Sequence, residues 1–321
     1  MAVVVVRDCE GADDFLDQLS PRGEIFGGTE SGGSRPDLGD AWIFRGVSDD
    51  SYLLIPSALR NENSFLKFGG QRCTDNDSQI RAEIGILRQF FNLADANGLP
   101  LPEDSQTLRG SIQRMLSEGY FQELDKGEER WPPRELWSLL GIGQHYGIPT
   151  CLLDWSRRPL IAAYFAAQEA AQKLSEIRDV SAAEDKKLCV WAFAVDRFAS
   201  RFDKEDASFF GEQRPPAAPI VKVTAPHAHN PNLHAQDGLF TVELRDVKDK
   251  LNGPIDRKPL DEIVGELLSD RDMTLFHRIR LPWLHAPHLM WRLRQENLNR
   301  ATVFPGYAGV VQALEEEARS Y

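Results

Sequence analysis

Apolar and polar positions come in blocks whose spacing predicts the elements. AVVVV at 2–6 is β-branched and predicts a strand, and Asp8 to Leu19 sets Phe15 and Leu16 on an amphipathic helical pattern. GGTESGGSRPDLGD, 27–40, is rich in Gly, Ser and Pro and predicts a loop. AWIFRGVSD, 41–49, predicts a buried strand ending in Arg45-Gly46, followed by an apolar turn with a short helix at 52–60 and a polar loop at 61–77. From Ser78 to Leu93, Ile80, Ile84, Leu87, Phe90 and Phe91 recur at helical spacing, with Glu83 beside the stripe. A second helical run, Ser105 to Leu124, precedes the acidic DKGEER and the Pro132-Pro133 break, and Glu135 to Leu140 leads into the densest stretch of the chain.

That stretch, 142–166, reads IGQHYGIPTCLLDWSRRPLIAAYFA. Gly147 and Pro149 force a turn, and Thr150 to Leu153 then has the length of a short buried strand. Ser156 can cap a helix that tolerates Pro159 in its first turn and carries Leu160, Ile161, Tyr164, Phe165 and Gln168 on one periodicity. Beyond it, 174–187 is charged and predicted exposed, and LCVWAFAVD, 188–196, predicts an interior strand because it is apolar throughout. The run 199–219 predicts a loop, and IVKVTAP and Gly238 to Leu244 predict strands. Charged, locally helical sequence fills 246–271, LFHRIRLPW alternates as a strand, and APHLMWRLRQENL predicts a helix. RATVFPGYAGVVQALEEEARSY predicts a short strand, a Pro-Gly turn and a last helix. Strands and helices intersperse without regular βα alternation, so the expected class is α+β. Residues 1–40 add a strand, a helix and a loop to one unit over 41–321.

Composition narrows the function classes. The chain has 321 residues, 42% of them hydrophobic and 27% charged, which suits a soluble globular protein with a sizeable core. A net charge of −12 disfavours a nucleic-acid binder, although a local Arg cluster could still hold a phosphate. Cys9, Cys73, Cys151 and Cys189 form no C-x-x-C pair and read as free thiols of a reducing compartment. No stretch approaches a membrane span, so no membrane partner and a cytoplasmic location are expected.

Several residues carry candidate chemistry. Arg45 in an apolar strand demands an anion, either an internal carboxylate such as Glu83 or Asp154 or an anionic ligand; Gly46 beside it would let a ligand approach the backbone. His145 titrates near neutrality and suits a ribose hydroxyl or a proton transfer, or is a satisfied buried imidazole. Tyr146 could stack on a ring or pack in the core. Asp154 reads as an acid, or more readily as the partner of Arg45 or a cap. Trp155 reads as core, and Ser156 as a cap rather than a nucleophile, for no G-x-S-x-G surrounds it. Glu83 reads as a solvated or salt-bridged side chain or a catalytic carboxylate, and Gln236 as a ribose or carboxamide partner or a turn former. His227, His229 and His234 lack a zinc spacing, so no metal is expected.

Phe44-Arg45-Gly46, LLIPSALR, the helical Glu83, QHYGIPTCLLDWSRRPLIAAYFA, AQDGLF and ATVFPGYAG occur in the order of the FRG domain, which the chain resembles from about Trp42 to Val311. That pattern is in turn similar to a divergent ADP-ribosyltransferase fold, which implies mixed, mostly antiparallel sheets with flanking helices and NAD as substrate. The resemblance implies that Arg45, Gly46, Gln144, His145, Tyr146, Thr150, Ser156 and Gln236 hold the dinucleotide. It makes Arg45, His145, Glu83 and Asp154 the catalytic candidates. The third motif carries Gln236-Asp237-Gly238 where a Glu is usual, so the carboxylate would come from Asp237, Glu243, Asp154 or Glu83. The implied activity cleaves the nicotinamide–ribose bond and passes ADP-ribose to a protein or nucleic-acid acceptor, as a toxin or phage-defence effector. The alternative is a non-catalytic nucleotide sensor or interaction module of a defence system.

Overall fold

The computed structural model describes residues 3–21, 25–26, 42–202, 218–224, 230–268 and 273–319. Seven strands, β1 (Val4–Asp8), β2 (Ile43–Val47), β3 (Leu152–Ser156), β4 (Lys187–Phe193), β5 (Ile220–Val223), β6 (Gly238–Glu243) and β7 (Phe276–Pro282), form one sheet in the order β1-β7-β4-β2-β3-β6-β5. Among the described residues only β1 and β7 run parallel, and every other pair is antiparallel. The class is α+β. Strand β4, apolar from Leu188 to Phe193, is paired on both edges, as its composition predicts, and β1 ties the N-terminal segment into the same sheet.

Helices α1 (Ala12–Leu19), α2 (Asn76–Ala96), α3 (Gln106–Arg114), α4 (Glu118–Lys126), α5 (Trp137–His145) and α6 (Pro159–Glu176) precede β4. After it come α7 (Val195–Ala199), α8 (Pro231–Ala235), α9 (Leu260–Leu267), α10 (Ala286–Gln295), α11 (Arg300–Val303) and α12 (Tyr307–Arg319). Strand β3 sends Leu153 and Trp155 into one core and Leu152 into another, and β6 likewise divides Leu239 from Phe240 and Val242. Alternate strand residues point to opposite faces, so helices cover both sides of this half of the sheet. The larger core includes the stacked rings of Phe193 and Phe276, 4.3 Å apart, and the second holds Trp131, Tyr120 and Leu139 under α2 to α5.

Helix α6 lies on β2 and β4 through buried Ala162, Ala163, Ala166, Ala167 and Ala170. A Cβ on Gly46 would stand 1.8 Å from the Ala162 carbonyl oxygen. Gly46 is therefore needed for helix-on-strand approach, and it also lines the cleft described below.

Four local expectations also change. The Ser105–Leu124 run breaks at Met115, because Ser117 accepts from the Tyr120 amide and caps a second helix. The strand expected at Thr150 to Leu153 runs from Leu152 to Ser156, paired with β6 from Leu152↔Val242 to Ser156↔Gly238. Strand β2 continues past Arg45-Gly46 to Val47. RATV is helical, not a strand, since Asn299 and Thr302 form a reciprocal capping box. The four cysteines are buried and unbridged, and among the described residues no helix is long and apolar enough to cross a membrane.

Candidate functional site

Strand β2 pairs with β4 over five positions but with β3 at one, Phe44↔Ser156. Where β2 and β3 part, side chains take over from the ladder. Arg45 Nη1 donates to the Asp154 carbonyl at 2.9 Å and stands 2.5 Å from Asp154 Oδ1, joining segments 109 residues apart. A cleft of about 470 Å³ opens beside this pair. The Arg45 side chain is 11% exposed, while that of Asp154 is 57% exposed toward the opening.

A polar chain fixes the Asp154 carboxylate. Gln144, at the end of α5, accepts from Thr150 Oγ1 at 2.7 Å and Ser57 Oγ at 3.3 Å, which turns its Nε2 toward Asp154 Oδ1 at 3.3 Å. Desolvation raises the Asp154 pKa, but the charge and hydrogen bond of Arg45 and the Gln144 amide outweigh it and hold the carboxyl below its ordinary range. His145 lines the same cleft, and burial lowers its pKa from 6.5, so the imidazole is neutral at pH 7 and can accept a proton.

Two residues along β3 from Asp154, Ser156 Oγ donates to the Gln236 carbonyl at 2.7 Å and accepts from the Arg158 amide at 2.9 Å. With both roles taken, the hydroxyl organises the turn; it does not cap α6 as expected, for the N-cap position is Arg158 and no side chain caps that helix. Gln236 lines the cleft and donates from Nε2 to the Val303 carbonyl at 3.3 Å, tying β6's entrance to α11.

Residues 40–175 match the family model of the FRG domain. The chain carries an FRG domain. Neither a curated protein nor a solved structure matches the chain. The matched span supplies Arg45, Gly46, Gln144, His145, Asp154 and Ser156 to the cleft; Gln236, Gly238 and Phe304, beyond it, complete the far wall.

Three candidates of the FRG segment stand outside the lining. Tyr146 is 65% exposed and stacks edge-on against His145. Thr150 is buried and acts through Gln144. Glu83, expected at the edge of its helix stripe, is 1% exposed: it accepts from Gln79 Nε2 and Trp131 Nε1, each at 2.9 Å, and lies 3.5 Å from the guanidinium of Arg245. Of the third-motif carboxylates, Asp237 adopts φ 46° and pairs with Arg157 at 3.1 Å, and Glu243, at the far end of β6, has its pKa raised by burial. Neither lines the cleft. His227 and His229 lie outside the described residues, and among those described no group of three potential metal ligands occurs.

The cleft also holds Phe165, Gln168 and Glu169 of α6, and Phe304. Phe165 and Phe304 meet edge to face at 5.9 Å. The i, i+3, i+4 spacing of the three α6 residues places them on one helix face, a signal present in the sequence. Phe304 follows a short helix at the other end of the chain and has no such signal.

Proposed function

We propose that the cleft binds a nicotinamide dinucleotide and that the protein cleaves its nicotinamide–ribose bond, transferring ADP-ribose to a macromolecular acceptor. The observation that carries this reading is the convergence of Arg45, Asp154, Gln144, His145 and Gln236 on one cleft with the Phe165–Phe304 ring pair. A volume of about 470 Å³ with an aromatic wall and few fixed polar groups suits a nucleotide-sized ligand. Nicotinamide would leave with the bonding electron pair, and the acceptor would bond to ribose C1 and give up a proton. The rings offer a flat surface to the base, and Gln236 and Gln144 offer amide groups near the sugar. Neutral His145 can take the acceptor's proton.

Charge developing on the ribose calls for a negative group held in place. Asp154 is compensated by Arg45, whereas Glu169 is paired with Lys173 at 2.7 Å, with the two side chains 50% and 33% exposed. Such an exposed i, i+4 pair is weak and yields readily to a ligand. Glu169 is thus the lining carboxylate best placed for the role. A second reading, a nucleotide sensor without turnover, is favoured by the pairing of Asp154 and Asp237 with arginines.

Mass spectrometry of free nicotinamide after incubation with NAD and a cell lysate separates the two. Release that is lost in Glu169→Gln and Arg45→Met supports the transferase. NAD binding by calorimetry without release supports the sensor, and absence of both refutes the nucleotide site.

A further inference from the structure

The polar chain at the cleft leaves a cation unaccounted for. Arg45 is the natural phosphate clamp from sequence, yet its Nη1 is committed to Asp154 twice, through the carboxylate and the carbonyl. Its positive charge is met inside the protein. Arg60 differs. It follows the short 3-10 turn Ser57–Leu59, which is bound to the start of the β3 segment: the Ala58 amide donates to the Thr150 carbonyl at 3.1 Å, and Ser57 Oγ reaches Gln144. The turn thereby holds Arg60 outside the residues that line the cleft but within electrostatic reach of Arg45 and Asp154.

Arg60 Nε donates to the Ile55 carbonyl at 3.2 Å, which fixes the plane of the guanidinium. Its two terminal nitrogens meet no acceptor among the described residues, and the residue is exposed. Desolvation lowers the Arg60 pKa, and the charge of Arg45 adds to this against the opposing pull of Asp154 and Tyr52. Arg60 thus feels the charges of both Arg45 and Asp154, while Asp154 is ion-paired to Arg45. A guanidinium anchored at Nε with both Nη groups open presents the fork that matches two phosphate oxygens.

We infer that Arg60 is the anion-binding residue of this cleft, taking the diphosphate of a nucleotide ligand, while Arg45 positions Asp154. The inference rests on the nucleotide reading of the site but not on turnover. It is tested on the full chain by calorimetric titration with ADP and with adenosine. Wild-type protein is expected to prefer ADP. Arg60→Gln should weaken ADP binding by about tenfold to a hundredfold, the range of a lost charge-assisted pair, and leave adenosine binding as it was. Arg60→Lys, which keeps the charge without the fork, should fall between. Circular dichroism checks the fold of both variants, whose substitution is at an exposed residue. An Arg60→Gln protein that binds ADP as the wild type does, or a wild type with no preference for ADP over adenosine, overturns the assignment. Failure of the transferase reading shows differently, as ADP binding that responds to Arg60 in a protein that releases no nicotinamide.

Discussion

Substituting Glu83 by Gln separates a structural carboxylate from a catalytic one. Glu83 is 1% exposed and Arg245 7% exposed, and the guanidinium nitrogens of Arg245 have no hydrogen-bond acceptor within bonding geometry. The 3.5 Å ion pair with Glu83 is therefore the principal compensation of a buried positive charge. The amide of Gln can still accept from Trp131 or Gln79, but it leaves Arg245 unpaired, which costs about 3–5 kcal/mol for a buried pair broken on one side. At a few degrees per kcal/mol for a large domain, the expected fall in melting temperature is roughly 10 °C. Differential scanning calorimetry measures it. Glu83→Gln with Arg245→Met removes both charges and should recover most of the loss, because an apolar replacement of a buried pair is often neutral. At a temperature where the single variant remains folded, nicotinamide release and ADP binding should be those of the wild type. A Glu83→Gln protein that melts normally but releases no nicotinamide would refute this account and return Glu83 to the chemistry.

Other substitutions probe the frame of the cleft. Gly46→Ala puts a methyl 1.8 Å from the Ala162 carbonyl oxygen, a backbone atom that cannot rotate away, so the protein should be insoluble or lose more than about 3 kcal/mol in urea unfolding; an unchanged midpoint would mean α6 does not lie on β2 as described. His277 sits between Phe26 and Trp42, and burial, with the charges of Arg7 and Arg197, pushes its pKa from 6.5 to about 4. The unfolded chain binds that proton first, so its contribution is whole above pH 6.5 and is lost as pH falls toward 4. Melting temperature followed over that window should decline less steeply in His277→Gln, and equal slopes would count against a buried neutral imidazole. Asp8, drawn to about 2 first by Arg280 and then by Lys187, acts further down the scale: its stabilisation is present above 3.8 and fades as pH approaches 2. Because Asp8 is more than half exposed, Asp8→Asn should shift acid unfolding by less than about 1 kcal/mol.

Much of this organisation is legible in the chain because it is local. A run as apolar as Leu188 to Phe193 has no solvent face and must be an interior strand, and Pro159 with the alanines after it must begin a helix that packs closely. The order of Phe44-Arg45-Gly46 and the later His145 to Ser156 segment likewise marks the two walls of one cleft. The broken Ser105–Leu124 helix and the capped RATV turn were also written locally, in Ser117 and in Asn299 with Thr302, but apolar spacing alone does not weigh caps.

What distance decided is a different set of facts. No local pattern distinguishes Glu83, sealed against Arg245 from a segment 162 positions later, from Glu169, open to the cleft about three turns into its helix, since both stand beside an apolar stripe. The pairing of Asp154 with Arg45 is among the readings the sequence offers and is the one the fold selects, but no local pattern says that Phe304 closes the wall opposite. Periodicity reports which face of an element is apolar; burial and ion pairing depend on which other element arrives at that face, and that is set only when β2 and β3 part and the remote segments close around the gap.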